Sequence, residues 1–274
     1  DSSADALSDV PYIPVNNNYP DFSEAEKSSE TTESSQAPRA YAEYSELDML
    51  GRCGRATAVC GKELMPKEKR GDIGMIKPTG WHTVKYDCVD GKYLYNRCHL
   101  IGWQLTGENA NQQNLITGTR YMNVEGMLPF ENMVADYIKE TDNHVLYRVT
   151  PDFKDEEMLA RGGLLEGYSL EDNGEGICFS VYVHNIQPGI IIDYATGESR
   201  EESPTNESNE KTDSSESSEA QSEQLYILNT SAKRFHRPDC RSVKNITQEN
   251  KTEKNCFREQ LIAEGYLPCG NCKP

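Results

Sequence analysis

Between Asn96 and Glu131 the chain reads NRCHLIGWQLTGENANQQNLITGTRYMNVEGMLPFE, which sets one His, several Asn and two Arg where phosphodiester chemistry needs them. Hydrolysis with a single divalent cation requires a base that takes a proton from water, a ligand that fixes the cation, and cationic donors for the phosphate. His99 suits the base, Asn123 the ligand, and Arg97 and Arg120 the donors. Asn123 also has a plain reading as a helix N-cap. His82, His144 and His184 have no comparable company and read as ordinary strand or loop residues. Arg52, Arg55, Lys67 and Arg70 read as solvated surface charges, with Arg97 and Arg120 favoured for phosphate because they lie inside the run.

These residues resemble those of the non-specific DNA/RNA endonucleases of the ββα-metal, or His-Me finger, superfamily, most closely its Gram-positive secreted branch. That family carries an Asp-Arg-Gly-His motif and then an Asn-rich stretch ending in a helix. Here the motif is Asn96-Arg97-Cys98-His99, followed by Asn114-Leu115, Met122-Asn123 and Phe130-Glu131. The steps of nine residues from Asn114 to Asn123 and eight from Asn123 to Glu131 match the family's spacing. The resemblance implies His99 as general base and Asn123 as the only protein ligand of a hydrated Mg²⁺ (or Mn²⁺). It assigns Asn114 and Glu131 supporting catalytic roles, adds Arg97 to the catalytic set, and implies 5′-phosphate products. Asn96 replaces the family's Asp and Cys98 its Gly, so the backbone at 98 need not adopt a glycine-only conformation. The resemblance spans roughly Leu47 to Gly197.

The elements that must position this set are legible in outline. TGWHTVKYDCVDGKYLYN reads as a β-hairpin about an Asp-Gly turn leading into His99. Met127, Phe130, Val134, Tyr137 and Ile138 follow helical spacing from Asn123 to about Lys139. SELDMLGRCGRATAVCGKELMP begins with a short helical stretch, and HVLYRVT, GICFSVYVHNI and GIIIDY read as sheet strands behind the site. The expected fold class is α+β: a ββα-metal nuclease core on a largely antiparallel sheet, plus a small zinc-stapled C-terminal module.

That module begins at Leu225, where LYILNTSAKRFHRPDC reads as a strand pair and NCFREQLIAEGY as a short helix stopped by Gly265. His236, Cys240, Cys269 and Cys272 form a His-x-x-x-Cys pair and a Cys-x-x-Cys pair about thirty residues apart. Thiolate and imidazole at this spacing suit a closed tetrahedral Zn²⁺ site, and a module of ~50 residues needs such a staple. The ending Gly265–Cys272 resembles the "GYxPCxxC" of the metal domain of the Ada DNA-repair protein, with His236 replacing one Cys. The resemblance implies a structural module that binds zinc and has a potential nucleic-acid role; in an oxidising space a disulfide is the plain alternative.

Composition divides the 274 residues further. Residues 1–40 and 198–224 are rich in Ser, Glu, Thr and Asn, carry net charges of −6 and −7, and are expected to be a disordered acidic tail and linker. That leaves residues 41–197 as the endonuclease domain at −8 and residues 225–274 as the zinc module at +4. A net charge of −17 opposes binding of a polyanion. A basic patch, a bound cation and the basic module can offset this locally, and the charge predicts dependence on metal and salt. No apolar run approaches the ~18 residues of a membrane span. The opening DSSADALSD reads as a trimmed form, and the spacer-like tail fits a secreted or cell-surface protein.

Nine Cys leave the redox reading divided between thiolate ligands and disulfides. By the resemblance some relatives carry Cys at the places of Cys53, Cys98 and Cys178, whereas Cys60 and Cys88 are additions, which suggests a bridge between them. The expected function is a secreted, sequence-non-specific endonuclease acting on DNA and RNA, with Mg²⁺ in the nuclease site and Zn²⁺ in the module. The alternative is a non-catalytic extracellular protein that binds nucleic acid. No motif identifies an inhibitor or immunity protein.

Overall fold

The computed structural model describes residues 10–28, 38–202, 224–256, 258–269 and 272. The chain divides into two compact units, Asp1–Glu202 and Ser203–Pro274. Among the described residues no helix is long and apolar enough to cross a membrane.

The first unit is α+β. Its main sheet uses strands β1 (Tyr12–Pro14), β2 (Tyr41–Tyr44), β3 (Ala56–Cys60), β6 (Val145–Asp152), β7 (Gly162–Ser169) and β8 (Cys178–His184). They run in the order β1-β8-β7-β6-β3-β2, each pair antiparallel. Outside this sheet stand a hairpin of β4 (Tyr95–His99) with β5 (Leu115–Thr119) and a short pair of β9 (Ile190–Ile192) with β10 (Ser199–Glu201). The helices are α1 (Glu24–Ser28), α2 (Trp103–Thr106) and α3 (Leu128–Thr141).

Strand alternation gives the sheet two distinct faces. Tyr147 and Phe179 point to one face, where Phe179 meets Phe130 of α3 at 5.0 Å and Phe130 meets Tyr12 edge-on at 4.9 Å. Phe130, Val134 and Ile138 repeat every four residues and are all buried, which fixes the inward stripe of α3. Each such side chain contributes about 1.5–3 kcal/mol by leaving water. On the other face Leu146 packs in a cluster with Phe22, Val59, Tyr168 and Leu170.

Residues 10–28 correct the expectation of a disordered tail over 1–40. β1 extends the sheet edge with Tyr12 opposite Val183, Phe22 and Asn18 are buried, and the Asn18 carboxamide oxygen accepts from Ser180 N at 3.1 Å. Arg148 Nε donates to Glu166 at 2.8 Å, its Nη2 to the Asp21 carbonyl at 2.7 Å, and its Nη1 to Glu26 at 3.1 Å. A few apolar anchors and one buried charge pair suffice because the sheet already exists, and averaging composition over forty residues hides them. The expected acidic linker also begins in structure, since Ser199–Glu201 pairs with β9. Residues 1–9, 29–37 and 203–223 lie outside the described set, and with them the remainder of the expected tail and linker.

His144, read from sequence as ordinary, is buried between two carboxylates. Its Nδ1 stands 2.6 Å from Glu171 and its Nε2 3.0 Å from Glu63, so both ring nitrogens donate when the imidazole is charged. Burial alone would lower its pKa, but the bonds to Glu63 and Glu171 outweigh that and raise it above 6.5. The added stability is therefore fully present below the unfolded value and is lost as pH rises through the folded one. Urea melts of the full chain should show stability falling from pH 6 to pH 9, with a shallower fall in His144→Gln. An equal slope in both proteins would remove His144 as the cause.

The second unit has a four-stranded sheet in the order β13-β11-β12-β14, formed by β11 (Gln224–Asn229), β12 (Arg234–His236), β13 (Lys251–Cys256) and β14 (Leu267–Pro268). β11 pairs antiparallel with β12 and β13, and β12 pairs parallel with β14. Helix α4 (Arg258–Ala263) is followed by Gly265 at φ +79°, a left-handed position that ends the helix and sends the chain into β14. Tyr226, Leu228, Phe235, Cys256, Leu261 and Tyr266 form its small core.

Candidate active site and metal centre

The hairpin that carries His99 pairs differently from the expectation. β4 is partnered by β5, with His99 opposite Leu115 and Tyr95 opposite Thr119, while the Asp90-Gly91 turn upstream keeps only one bridge, Lys85 to Tyr93. After β5 the chain enters a π-helical stretch, Met122–Met127, which continues into α3. The Thr119 hydroxyl accepts from Met122 N at 2.9 Å and anchors this entry. Asn123 thus lies inside the helical run and is not its N-cap, and its carbonyl accepts from Leu128 N, five residues on. Such π-segments recur at functional sites because the wider turn re-aims side chains.

Hairpin and helix face a cleft of about 930 Å³ lined by His99, Asn123, Glu131, Arg70, Arg97 and Arg120 among others. His99 is 6% exposed, and its Nε2 stands 2.8 Å from the Asn109 carbonyl oxygen. A carbonyl only accepts, so Nε2 carries the hydrogen and Nδ1 keeps the lone pair. Arg70 Nη2 faces that Nδ1 at 3.4 Å. Burial lowers the His99 pKa and Arg70 lowers it further, against the Asn109 bond that raises it. The ring is held neutral with one basic nitrogen turned toward a cation.

Glu131 reaches the same cleft from α3. Burial raises its pKa to about 7, with Gln104 and Arg70 pulling the other way. Gly102 makes room for it: a Cβ there would fall 2.4 Å from Glu131 Oε2. The Asn123 carboxamide lines the cleft and makes no hydrogen bond among the described residues. A free carboxamide oxygen near a buried carboxyl is a hard-oxygen donor set, which fits Mg²⁺ retaining most of its water.

Asn114, expected in a supporting catalytic role, stands outside the cleft lining. It is fully buried, its Oδ1 accepts from Ile101 N at 2.9 Å and its Nδ2 donates to Ile101 O at 3.0 Å, so it clamps the segment just after His99 and does not line the cleft. Asn114→Ala is expected to cost about 1–3 kcal/mol by stripping both backbone groups of their partner. Denaturant titration of the full chain checks this; wild-type stability would contradict the clamp.

The arginines also sort differently. Arg97 Nη2 donates to the Gly74 carbonyl at 2.8 Å and Nε to that of Ile76 at 2.5 Å, with the guanidinium 4.0 Å over Trp81. It therefore pins the 74–76 loop beside the cleft as well as lining it. Arg120 is bonded to Asp90 at 3.0 Å on the surface. Arg70, grouped in the sequence with solvated charges, is the cation beside the basic nitrogen of His99. No motif marks it from 29 residues away, but Gly71 next to it packs on Asn109, 2.8 Å from the Nδ2 to a would-be Cβ.

In the second unit the ligand atoms of His236, Cys240, Cys269 and Cys272 all lie within 4.8 Å of one another, the one cluster of this kind among the described residues. Cys240 Sγ is 3.9 Å from Cys269 Sγ, and Arg237 N donates to Cys272 Sγ at 3.3 Å. His236 Nδ1 is buried without a partner. An imidazole nitrogen gathered with three sulfurs suits a closed tetrahedral Zn²⁺ site. All nine cysteines are free, so the Cys60–Cys88 bridge is corrected: Cys60 points into the core of β3, where burial pushes its thiol to about 12, and Cys88 is exposed.

Residues 29–168 match the family profile described as DNA/RNA non-specific endonuclease. Among solved structures, NucA from Streptococcus agalactiae with magnesium bound is 24% identical, with a TM-score of 0.58 over 71% of this chain and 91% of that one. Sda1 nuclease with a bound zinc ion is 26% identical, with a TM-score of 0.55 over 70% of this chain and 96% of that one.

Proposed function

Because this chain belongs to the DNA/RNA non-specific endonuclease family, we propose that it hydrolyses phosphodiesters of DNA and RNA, secreted or at the cell surface, with His99 as general base. The observation that carries this is the His99 ring: neutral, its Nε2 hydrogen spent on Asn109, its Nδ1 lone pair facing Arg70 in the cleft that Asn123 and Glu131 share. His99 Nδ1 takes a proton from the attacking water. Arg70 holds a non-bridging phosphate oxygen next to that base, with the outer cleft cations Arg97 and Arg120 drawing in the backbone. Asn123 would hold Mg²⁺ or Mn²⁺, with the Glu131 carboxyl lining the same cleft. When bound, the ion would supply Lewis-acid charge for the phosphate and the leaving group. Groups aimed at phosphate read no base edges, hence no sequence preference. The nuclease domain is residues 41–197 together with the strap 10–28, and residues 225–274 form an Ada-like module held by Zn²⁺.

Asn123→Ala tests the ligand assignment. Cleavage should fall at ordinary Mg²⁺ and recover in part when Mg²⁺ or Mn²⁺ is raised, because the lost oxygen is replaced by water. A variant whose metal titration overlays the wild type would place the cation elsewhere.

A further inference from the structure

The cleft that holds His99 and Asn123 is also lined by four aromatic side chains, Trp81, Tyr93, Tyr95 and Trp103. Two are engaged within the fold. Tyr95 is 4% exposed and its hydroxyl donates to the Gly197 carbonyl, and Trp81 lies under the Arg97 guanidinium. Trp103 differs. It opens the four-residue helix α2, next to Gly102 and Glu131, and is only partly buried. Its indole makes no hydrogen bond, ring contact or cation contact among the described residues. Tyr93 is 49% exposed, with Lys85 Nζ 4.4 Å from its ring centre.

The exposed part of a partly buried indole gains by being covered, because its apolar area is stabilised by leaving water. What reaches this cleft is a phosphodiester, and the groups attached nearest to a phosphodiester are sugars and bases. Cationic grooves edged by aromatic platforms are how proteins hold single strands, since every base offers a π-face and stacking tolerates any sequence. Bases in a duplex are stacked on one another and paired inward. A base must leave that stack before it can lie on a protein ring.

We propose that Trp103, with Tyr93 as a second platform, is a stacking subsite for an unpaired nucleobase beside the scissile phosphate, so that single-stranded nucleic acid is the favoured substrate. The proposal rests on the hydrolytic reading of the cleft. It adds a substrate class that phosphate chemistry alone does not set. Stacking uses the π-face that every base offers, which keeps the subsite indifferent to base identity.

The test uses the full chain with Mg²⁺ and three substrates: a single-stranded oligonucleotide, its duplex, and a single strand with an abasic central tract. Wild type should cut the single strand with the highest kcat/KM. Trp103→Ala should lose roughly tenfold on it, the scale of one lost base–aromatic stack, mostly in KM. Trp103→Phe should stay within about threefold, and on the abasic tract wild type and Trp103→Ala should cut alike. Equal losses on the normal and abasic strands would make Trp103 a packing residue and overturn the subsite, as would no loss at all. A second readout needs no turnover. Trp81 and Trp103 are the only tryptophans, so adding the single strand to His99→Ala should quench indole emission, and the quench should vanish in His99→Ala/Trp103→Phe. Quenching without hydrolysis in the wild type would sink the nuclease reading and keep the subsite, whereas hydrolysis without quenching would sink the subsite alone.

Discussion

His99→Ala should cut DNA and RNA cleavage by at least ~10²-fold while leaving the fold intact. The side chain's described bonds run to the Asn109 carbonyl and to Arg70, both at the cleft, and it bears no part of the ring stack beneath α3. Truncation therefore removes the proton acceptor and leaves the sheet and α3 in place. The wild-type pH profile gives the same assignment a second reading. A base works when neutral, and the His99 pKa is lowered by burial and Arg70, so the acidic limb of kcat/KM should lie below 6.5 in saturating Mg²⁺. The cation favours ionised Glu131 and keeps that carboxyl from setting the limb. Activity within tenfold of wild type in His99→Ala, or an acidic limb above 6.5, would move the base to another residue.

Removing the metal from the second unit is expected to have the other large effect. Its core is a handful of side chains, and His236, Cys240, Cys269 and Cys272 converge from two separated stretches of sequence. Structural zinc at such sites is worth about 10–16 kcal/mol, which in a module this small is the folding energy itself. Protein purified without chelator should contain one zinc per chain. A strong chelator should then expose Cys240, Cys269 and Cys272 to a thiol reagent and open residues 224–272 to proteases, while the first unit keeps its unfolding transition. Zinc-free protein with a folded second unit, or a Cys240–Cys269 disulfide found by peptide mapping, would contradict the assignment.

Short-range signals in the sequence were sufficient for part of this structure. Phe130, Val134 and Ile138 mark the buried face of α3, and His236, Cys240, Cys269 and Cys272 mark the second cluster. Other parts depend on pairing that no local pattern encodes. β7 is hard to see because Gly162, Gly163 and Gly167 break the apolar pattern, yet Gly162 and Gly167 are needed where Tyr182 and Phe179 lie against the strand. DCVDGKY carries a strong turn signal that points to a hairpin with the preceding strand, whereas LITGT takes the place beside β4 by burying all five of its residues. SELDML carries a helical pattern, but Asp48 Oδ1 accepts from Leu50 N and Arg52 N and makes it a turn. Arg70 and the Asn109 carbonyl were invisible for a related reason: one is a side chain in a loop without a motif, and the other is a backbone atom present in every residue.

The most direct measurement is incubation of supercoiled plasmid and a long RNA with the full chain, in Mg²⁺ and in EDTA, followed by analysis of the ends. The account predicts nicking, then linear DNA, then a continuous smear, with RNA degraded as well, 5′-phosphate ends, and no reaction in EDTA. Nucleic acid that is bound but left intact in every metal tried would contradict it and make the cleft a binding surface.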